Sequence, residues 1–171
     1  MVTPGFHRPE IETLPRDRLE ALQLDRLRST VRRLRERVPV MAERLDGLPD
    51  PGSLDDLTSL PFLRKVDLRD NYPFGLFAEP RSSLARVHAS SGTTRKPTVD
   101  GYTADDIADW AECVARSLPG AGVEPGQLLH KAYCYGLFTG GLGLHMGAEA
   151  AGIAPSARGA GRKRIIATAR H

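Results

Sequence analysis

The sequence predicts an α/β fold in which helices pack on a partial sheet. Three observations carry this. Leu24, Leu27, Val31, Leu34 and Val38 recur at spacings of three and four, the period of one helix face. Leu84 to Ala89 alternates apolar and polar residues, the period of a half-buried strand. From Thr103 onward a capped helix, a strand and a glycine-rich helix follow in turn, and strand–helix–strand–helix order favours an α/β layer.

The elements follow in chain order. Pro15 to Val38 reads as an amphipathic helix whose leucines and valines pack inward. Eight arginines between Arg16 and Arg37, interleaved with Asp17, Glu20, Asp25 and Glu36, line the solvated side. Gly47, Pro49, Pro51, Gly52 and Pro61 mark loop around a short helix at Leu54 to Ser59. Lys65 to Asn71 suits a helical turn. Leu84 to Ala89 and Pro97 to Tyr102 suit two strands joined as a hairpin. Thr103 is an N-cap with Asp106 at the third helical position, and Ile107, Trp110, Ala111, Val114 and Leu118 form the buried stripe behind it. Gly120 and Gly122 end that helix. Gln127 to Tyr133 reads as a strand, and Gly140 to Ala151 as a helix whose small residues permit close packing on a sheet.

Composition narrows the class. A chain of 171 residues suits one domain by size, and 17 glycines with 13 prolines predict plentiful loops. No apolar run approaches the ~20 residues a membrane span needs, and residues 1–12 contain no signal-like apolar stretch. Cys113 and Cys134 make no disulfide framework or metal motif, so a cytoplasmic setting, no membrane and no metal ligands are expected. The net charge of +3 belongs to the end of the chain. Arg158, Arg162, Lys163, Arg164 and Arg170 stand without an acid, and the rest carries 19 basic against 21 acidic residues. Residues 153–171 therefore read as a divergent, disordered basic tail on a domain spanning 1–152. No specific nucleic-acid partner is expected. The alternative function is a noncatalytic module binding an acidic partner through the arginine-rich helix and this tail.

The chemistry concentrates in the run His88-Ala89-Ser90-Ser91-Gly92-Thr93-Thr94-Arg95-Lys96-Pro97-Thr98. Hydroxyls and open backbone N–H groups around a glycine suit phosphate oxygens, and Lys96 adds a point charge. The order differs from the Walker pattern, because the serines come first and a proline follows the lysine. Read alone, the run is equally a polar turn between two strands. His88, His130 and His145 form no nucleophile or metal constellation that spacing supports, and read as structural.

The run resembles the phosphate loop of the AMP-forming adenylating enzymes. With Leu60-Pro61-Phe62, the block from Asp67 to Gly75 and the block from Tyr133 to Gly141, it is similar to the phenylacetate–CoA ligase family over residues 10 to 152. The resemblance implies the N-terminal portion of the adenylate-forming fold, without its remainder. It implies conversion of phenylacetate, ATP and coenzyme A to phenylacetyl-CoA, AMP and diphosphate through an acyl-adenylate. Ser90, Ser91, Gly92, Thr93, Thr94 and Lys96 would bind phosphates, and Tyr135 and Phe138 would line an aryl-acid pocket. No catalytic residue is assigned. The implied cofactors are ATP with Mg2+ and coenzyme A.

Two positions depart from the family. Arg95 stands where glycine is usual, and arginine tolerates a left-handed backbone poorly, so slower turnover is expected. Cys134 also replaces a usual glycine and is expected to act as a small buried hydrophobe. The family's adenine, ribose and magnesium motifs and its mobile domain with the catalytic lysine have no counterpart here. The chain is therefore expected to be a truncated form that cannot complete the reaction alone, and a separate chain supplying the missing half is a possible partner.

Overall fold

A computed structural model describes residues 5–90, 97–131 and 140–157. They fall into two interleaved compact units rather than the single domain that length suggests. The helical unit comprises Leu14–Leu84 and Ala89–Gly101. The α/β unit comprises the residues up to Thr13, Ala85–His88, and those from Tyr102 on.

In the helical unit, α2 (Arg16–Arg37) follows a short α1 (Pro9–Glu12) of the other unit. It ends where the chain must. Val38 precedes a proline, which excludes it from helical geometry, and its backbone is extended at φ −122°, ψ 96°. Pro39 then opens α3 (Pro39–Arg44) at a position that needs no N–H. Val31, Val38, Met41 and Leu45 form the buried core, with Leu27, Leu34, Leu48 and Leu60 packed against it. Several arginines of α2 are engaged inside this unit. The Arg28 guanidinium donates to the Pro51 and Gly52 carbonyls at 2.7 and 3.2 Å, Arg35 pairs with Asp50, and Arg37 meets Glu79 at 2.5 Å. The expected short helix at Leu54–Ser59 is a 3-10 turn, and α4 spans Lys65–Asp70.

Arg44 ties α3 to α4. Its guanidinium grips the Asp67 carboxylate at 3.0 and 2.5 Å, while the Arg64 backbone N–H donates to the same group at 2.6 Å. Arg44 first, then the Arg64 N–H, hold the Asp67 carboxyl at about 2 instead of its ordinary 3.8. The pair's contribution is thus complete above the ordinary value and is lost as pH falls toward about 2. Asp67→Asn is expected to lower the unfolding midpoint at neutral pH and to flatten this acid limb, checked by thermal melts across that window.

In the α/β unit, α5 (Ala104–Gly120) carries the expected cap. Thr103 Oγ1 accepts from the Asp106 N–H at 3.2 Å, and Asp106 Oδ2 accepts from the Thr103 N–H at 2.8 Å. Gly122, at φ +79°, turns the chain away after the helix. Strand β3 (Leu128–Lys131), α6 (Gly140–Ala150) and β4 (Ala154–Ala157) form a parallel crossover, with Leu128 opposite Ala154 and His130 opposite Ser156. Ala115, Leu118, Val123, Leu129, Ala148, Ala151 and Ile153 make the core. The small residues of α6 admit helix α5 rather than only a sheet: a Cβ at Gly143 would lie 2.5 Å from the Trp110 ring, and one at Gly147 2.4 Å from Val114.

The boundary at residue 153 needs correction. Ile153 is a core residue, 2% exposed, and Ala154–Ala157 pairs with β3, so these residues fold with the unit instead of belonging to a tail. Backbone hydrogen bonding builds this strand, and Ala-Pro-Ser-Ala carries neither alternation nor β-branched residues to announce it. Residues 158–171 lie outside the described residues.

Candidate functional site

Strands β1 (Arg86–Ala89) and β2 (Val99–Tyr102) pair with each other and flank the serine–threonine run. The Ala85 N–H donates to the Tyr102 carbonyl and the Ser90 N–H to the Thr98 carbonyl, both at 2.9 Å. The two bonds run in opposite order along the strands, so the pair is an antiparallel hairpin as the sequence predicts. Ser90 is exposed at its end. Its Oγ accepts from the Thr98 N–H at 2.9 Å, which leaves its O–H proton available to donate elsewhere. Ser91, Gly92, Thr93, Thr94, Arg95 and Lys96 lie outside the described residues.

The base of the hairpin is aromatic. His88 is 2% exposed and meets Tyr102 edge to face at 5.4 Å and Trp110 at 5.8 Å. Tyr102 stacks on Trp110 at 5.6 Å. Strand β2 has its own requirement, since a Cβ at Gly101 would come within 2.4 Å of the Phe77 ring.

Tyr135 and Phe138, with Cys134, also lie outside the described residues, but both ends of their segment are visible. Lys131 is 2% exposed, and its Nζ donates to the Gly141 carbonyl at 2.7 Å. That bond fastens the end of β3 to the first turn of α6 across the residues between. Sequence reasoning missed Lys131. The available signal was a lysine ending the strand Leu128-Leu129-His130-Lys131, a place where a buried charge needs a specific acceptor.

The histidines have local partners. His130 Nδ1 lies 3.4 Å from Ser156 Oγ, and His145 Nε2 lies 3.2 Å from Glu149. His7, also missed, sits 3.3 Å from Glu112. Cys113 is exposed on α5. Among the described residues, no three His, Cys, Asp or Glu side chains converge to hold a metal ion, so none is assigned to Mg2+. No helix among them is long and apolar enough to cross a membrane.

No protein-family profile matches the chain. It is 59% identical over 152 residues to a phenylacetate–coenzyme A ligase of Thermus thermophilus, covering 86% of this chain and 34% of that protein. It is 52% identical over 169 residues to a ligase of the same name from Aromatoleum evansii, covering 95% and 38%. The Escherichia coli enzyme of that name is 53% identical over 146 residues, covering 83% and 33%. The chain thus spans about a third of the length of the curated relatives it matches. Among solved structures, 2-hydroxyisobutyryl-CoA ligase with 2-HIB-AMP and CoA, in the thioesterification state, superposes with a TM-score of 0.81 at 30% identity, covering 90% of this chain and 34% of that one. An open conformation of the same ligase gives a TM-score of 0.78 at 29% identity, covering 89% and 37%.

Proposed function

The chain belongs to the phenylacetate–coenzyme A ligase family, and we propose that it carries the nucleotide-phosphate loop and part of the aryl pocket of such a ligase. In that reaction a carboxylate oxygen of phenylacetate attacks the α-phosphorus of ATP. The bond to the bridging oxygen breaks, diphosphate leaves, and the acyl-adenylate remains. The thiol of coenzyme A, losing its proton, then attacks the acyl carbon and AMP departs.

The observation that carries the reading is the hairpin. Its two ends are stitched at Ser90 and Thr98, so the intervening hydroxyl, glycine and lysine residues leave and return at one place. Ser90, Ser91, Gly92, Thr93, Thr94 and Lys96 donate to the β- and γ-phosphates, and Lys96 offsets charge as it develops on the leaving diphosphate. Tyr135 and Phe138 take the phenyl ring through edge and face contacts. The related ligase solved with 2-HIB-AMP and CoA supports an acyl-adenylate and coenzyme A as ligands of this fold.

Arg95 stands where the family usually has glycine, and Arg95→Gly is expected to raise the turnover of the loop's reaction once the complementary ligase polypeptide is supplied. Steady-state rates of both chains under that condition check this. Groups for adenine, ribose and the thioester step are assigned to no residue here. Phenylacetyl-CoA formation is therefore expected only when the complementary ligase polypeptide is supplied in trans. Thioester produced by the purified 171-residue chain alone would overturn that expectation.

A further inference from the structure

We propose that the α/β unit binds a cationic aromatic small molecule, in a cavity between its N-terminal segment and the C-terminal ends of α5 and α6. The cavity has a volume of about 640 Å³, inside the ~300–1,000 Å³ usual for small-molecule pockets. Every residue lining it belongs to this one unit.

Its floor is the apolar core. Val123, Ala151 and Ile153 line it and are buried. The two turns that carry them are stitched together, since the Gly126 N–H donates to the Gly152 carbonyl and the Ile153 N–H to the Ala148 carbonyl, both at 2.9 Å. The facing wall is the segment Gly5–His7, which brings the Phe6 ring. Two carboxylates fix this wall. Glu12 accepts from the backbone N–H groups of His7 and Arg8 at 3.1 and 2.6 Å, and lies 3.7 Å from the Arg116 guanidinium on α5. His7 Nε2 and the Arg8 guanidinium reach Glu112, also on α5, at 3.3 and 3.7 Å. The segment is thereby held at a set distance from α5, and a site formed before its ligand arrives binds without an ordering cost.

The lining selects the ligand. Phe6 and Pro119 present ring faces, which suit a flat aromatic group. Glu124 is the one acidic residue among those lining the cavity, and none of them is lysine or arginine. Among the described residues its carboxylate is in no ion pair, so it can receive a positive group. An ammonium carried beside the ring gains that attraction, and a carboxylate in its place meets repulsion.

The test uses the full 171-residue chain and two fluorescent probes that share one ring system, naphthylethylamine and naphthylacetate, titrated at low salt and followed by anisotropy. The amine is expected to bind saturably, about fivefold or more tightly than the acid. Phe6→Ala, which removes one wall, is expected to weaken the amine roughly tenfold. Glu124→Lys is expected to reverse the preference between the probes. Both positions lie outside the core cluster, and where Phe6→Ala fails to unfold cooperatively, Glu124→Lys decides. No saturable binding of the amine, equal affinity for the two probes, or a preference that Glu124→Lys leaves unchanged overturns the proposal. Each of these outcomes spares the nucleotide-loop reading, which rests on other residues.

Discussion

Gly147→Val is expected to destabilise the α/β unit by about 3 kcal/mol, a large share of the ~5–15 kcal/mol that holds a typical domain folded. The site lies where α6 meets α5. Even a single added Cβ would stand 2.4 Å from both Val114 Cβ and Cγ1 and 3.1 Å from the Ala115 backbone nitrogen. Val114 is β-branched and stiff in a helix, so it cannot swing aside. Ala115 and Ala148 beside it are fully buried, so the helices must separate and strip contacts from Leu118 and Leu129. Gly147→Ala recovers about 1 kcal/mol of helix propensity against its smaller clash and should cost less. Gly120→Ala, with nothing within 4 Å of the new methyl, should be neutral or mildly stabilising. Thermal or urea melts of the three variants check the order. Equal midpoints for Gly147→Val and Gly120→Ala would show that α5 and α6 do not pack this closely.

The second large effect concerns Lys96. Removing a charge-assisted contact to phosphate typically costs about 1.5–3 kcal/mol, so Lys96→Ala is expected to weaken ATP binding roughly 10- to 100-fold. Lys65→Ala removes an exposed lysine on α4 and serves as the control for charge alone. Equal losses from both substitutions, measured by calorimetry, would reduce Lys96 to a contributor of general positive potential and would remove it from the site.

Where local chemistry decides structure, the sequence was legible. The leucine–valine period of α2 is read over nearly its full length, and the Thr103–Asp106 cap starts α5 where its residues indicate; α3, opened by Pro39, was not read. The hairpin was legible from the alternation of Leu84 to Ala89 before the polar run and a strand-like Pro97 to Tyr102 after it. What resisted reading depends on partners distant in sequence. Ala154–Ala157 becomes a strand because β3 offers it backbone groups, and nothing in its own side chains requires that. The glycines of α6 signal a close approach, but only the fold shows that α5 is the neighbour. The same holds for Lys131, whose burial depends on the Gly141 carbonyl ten residues away. The phosphate run is read from its order of residue types alone, and residues 91–96 lie outside the described residues. Of its candidate residues, Ser90 is described, and its contacts are those of a residue closing the hairpin.

The central claim is that this chain binds ATP through residues Ser90 to Lys96. The most direct measurement is cooperative thermal unfolding of the purified chain, with and without saturating Mg-ATP, beside the same pair of scans for Lys96→Ala. Ligand at 100 times its dissociation constant stabilises a folded site by about 2.7 kcal/mol. The account predicts a saturable upward shift of the midpoint that Lys96→Ala largely removes. A cooperative transition that ATP leaves unmoved, or moves equally in both chains, would contradict it.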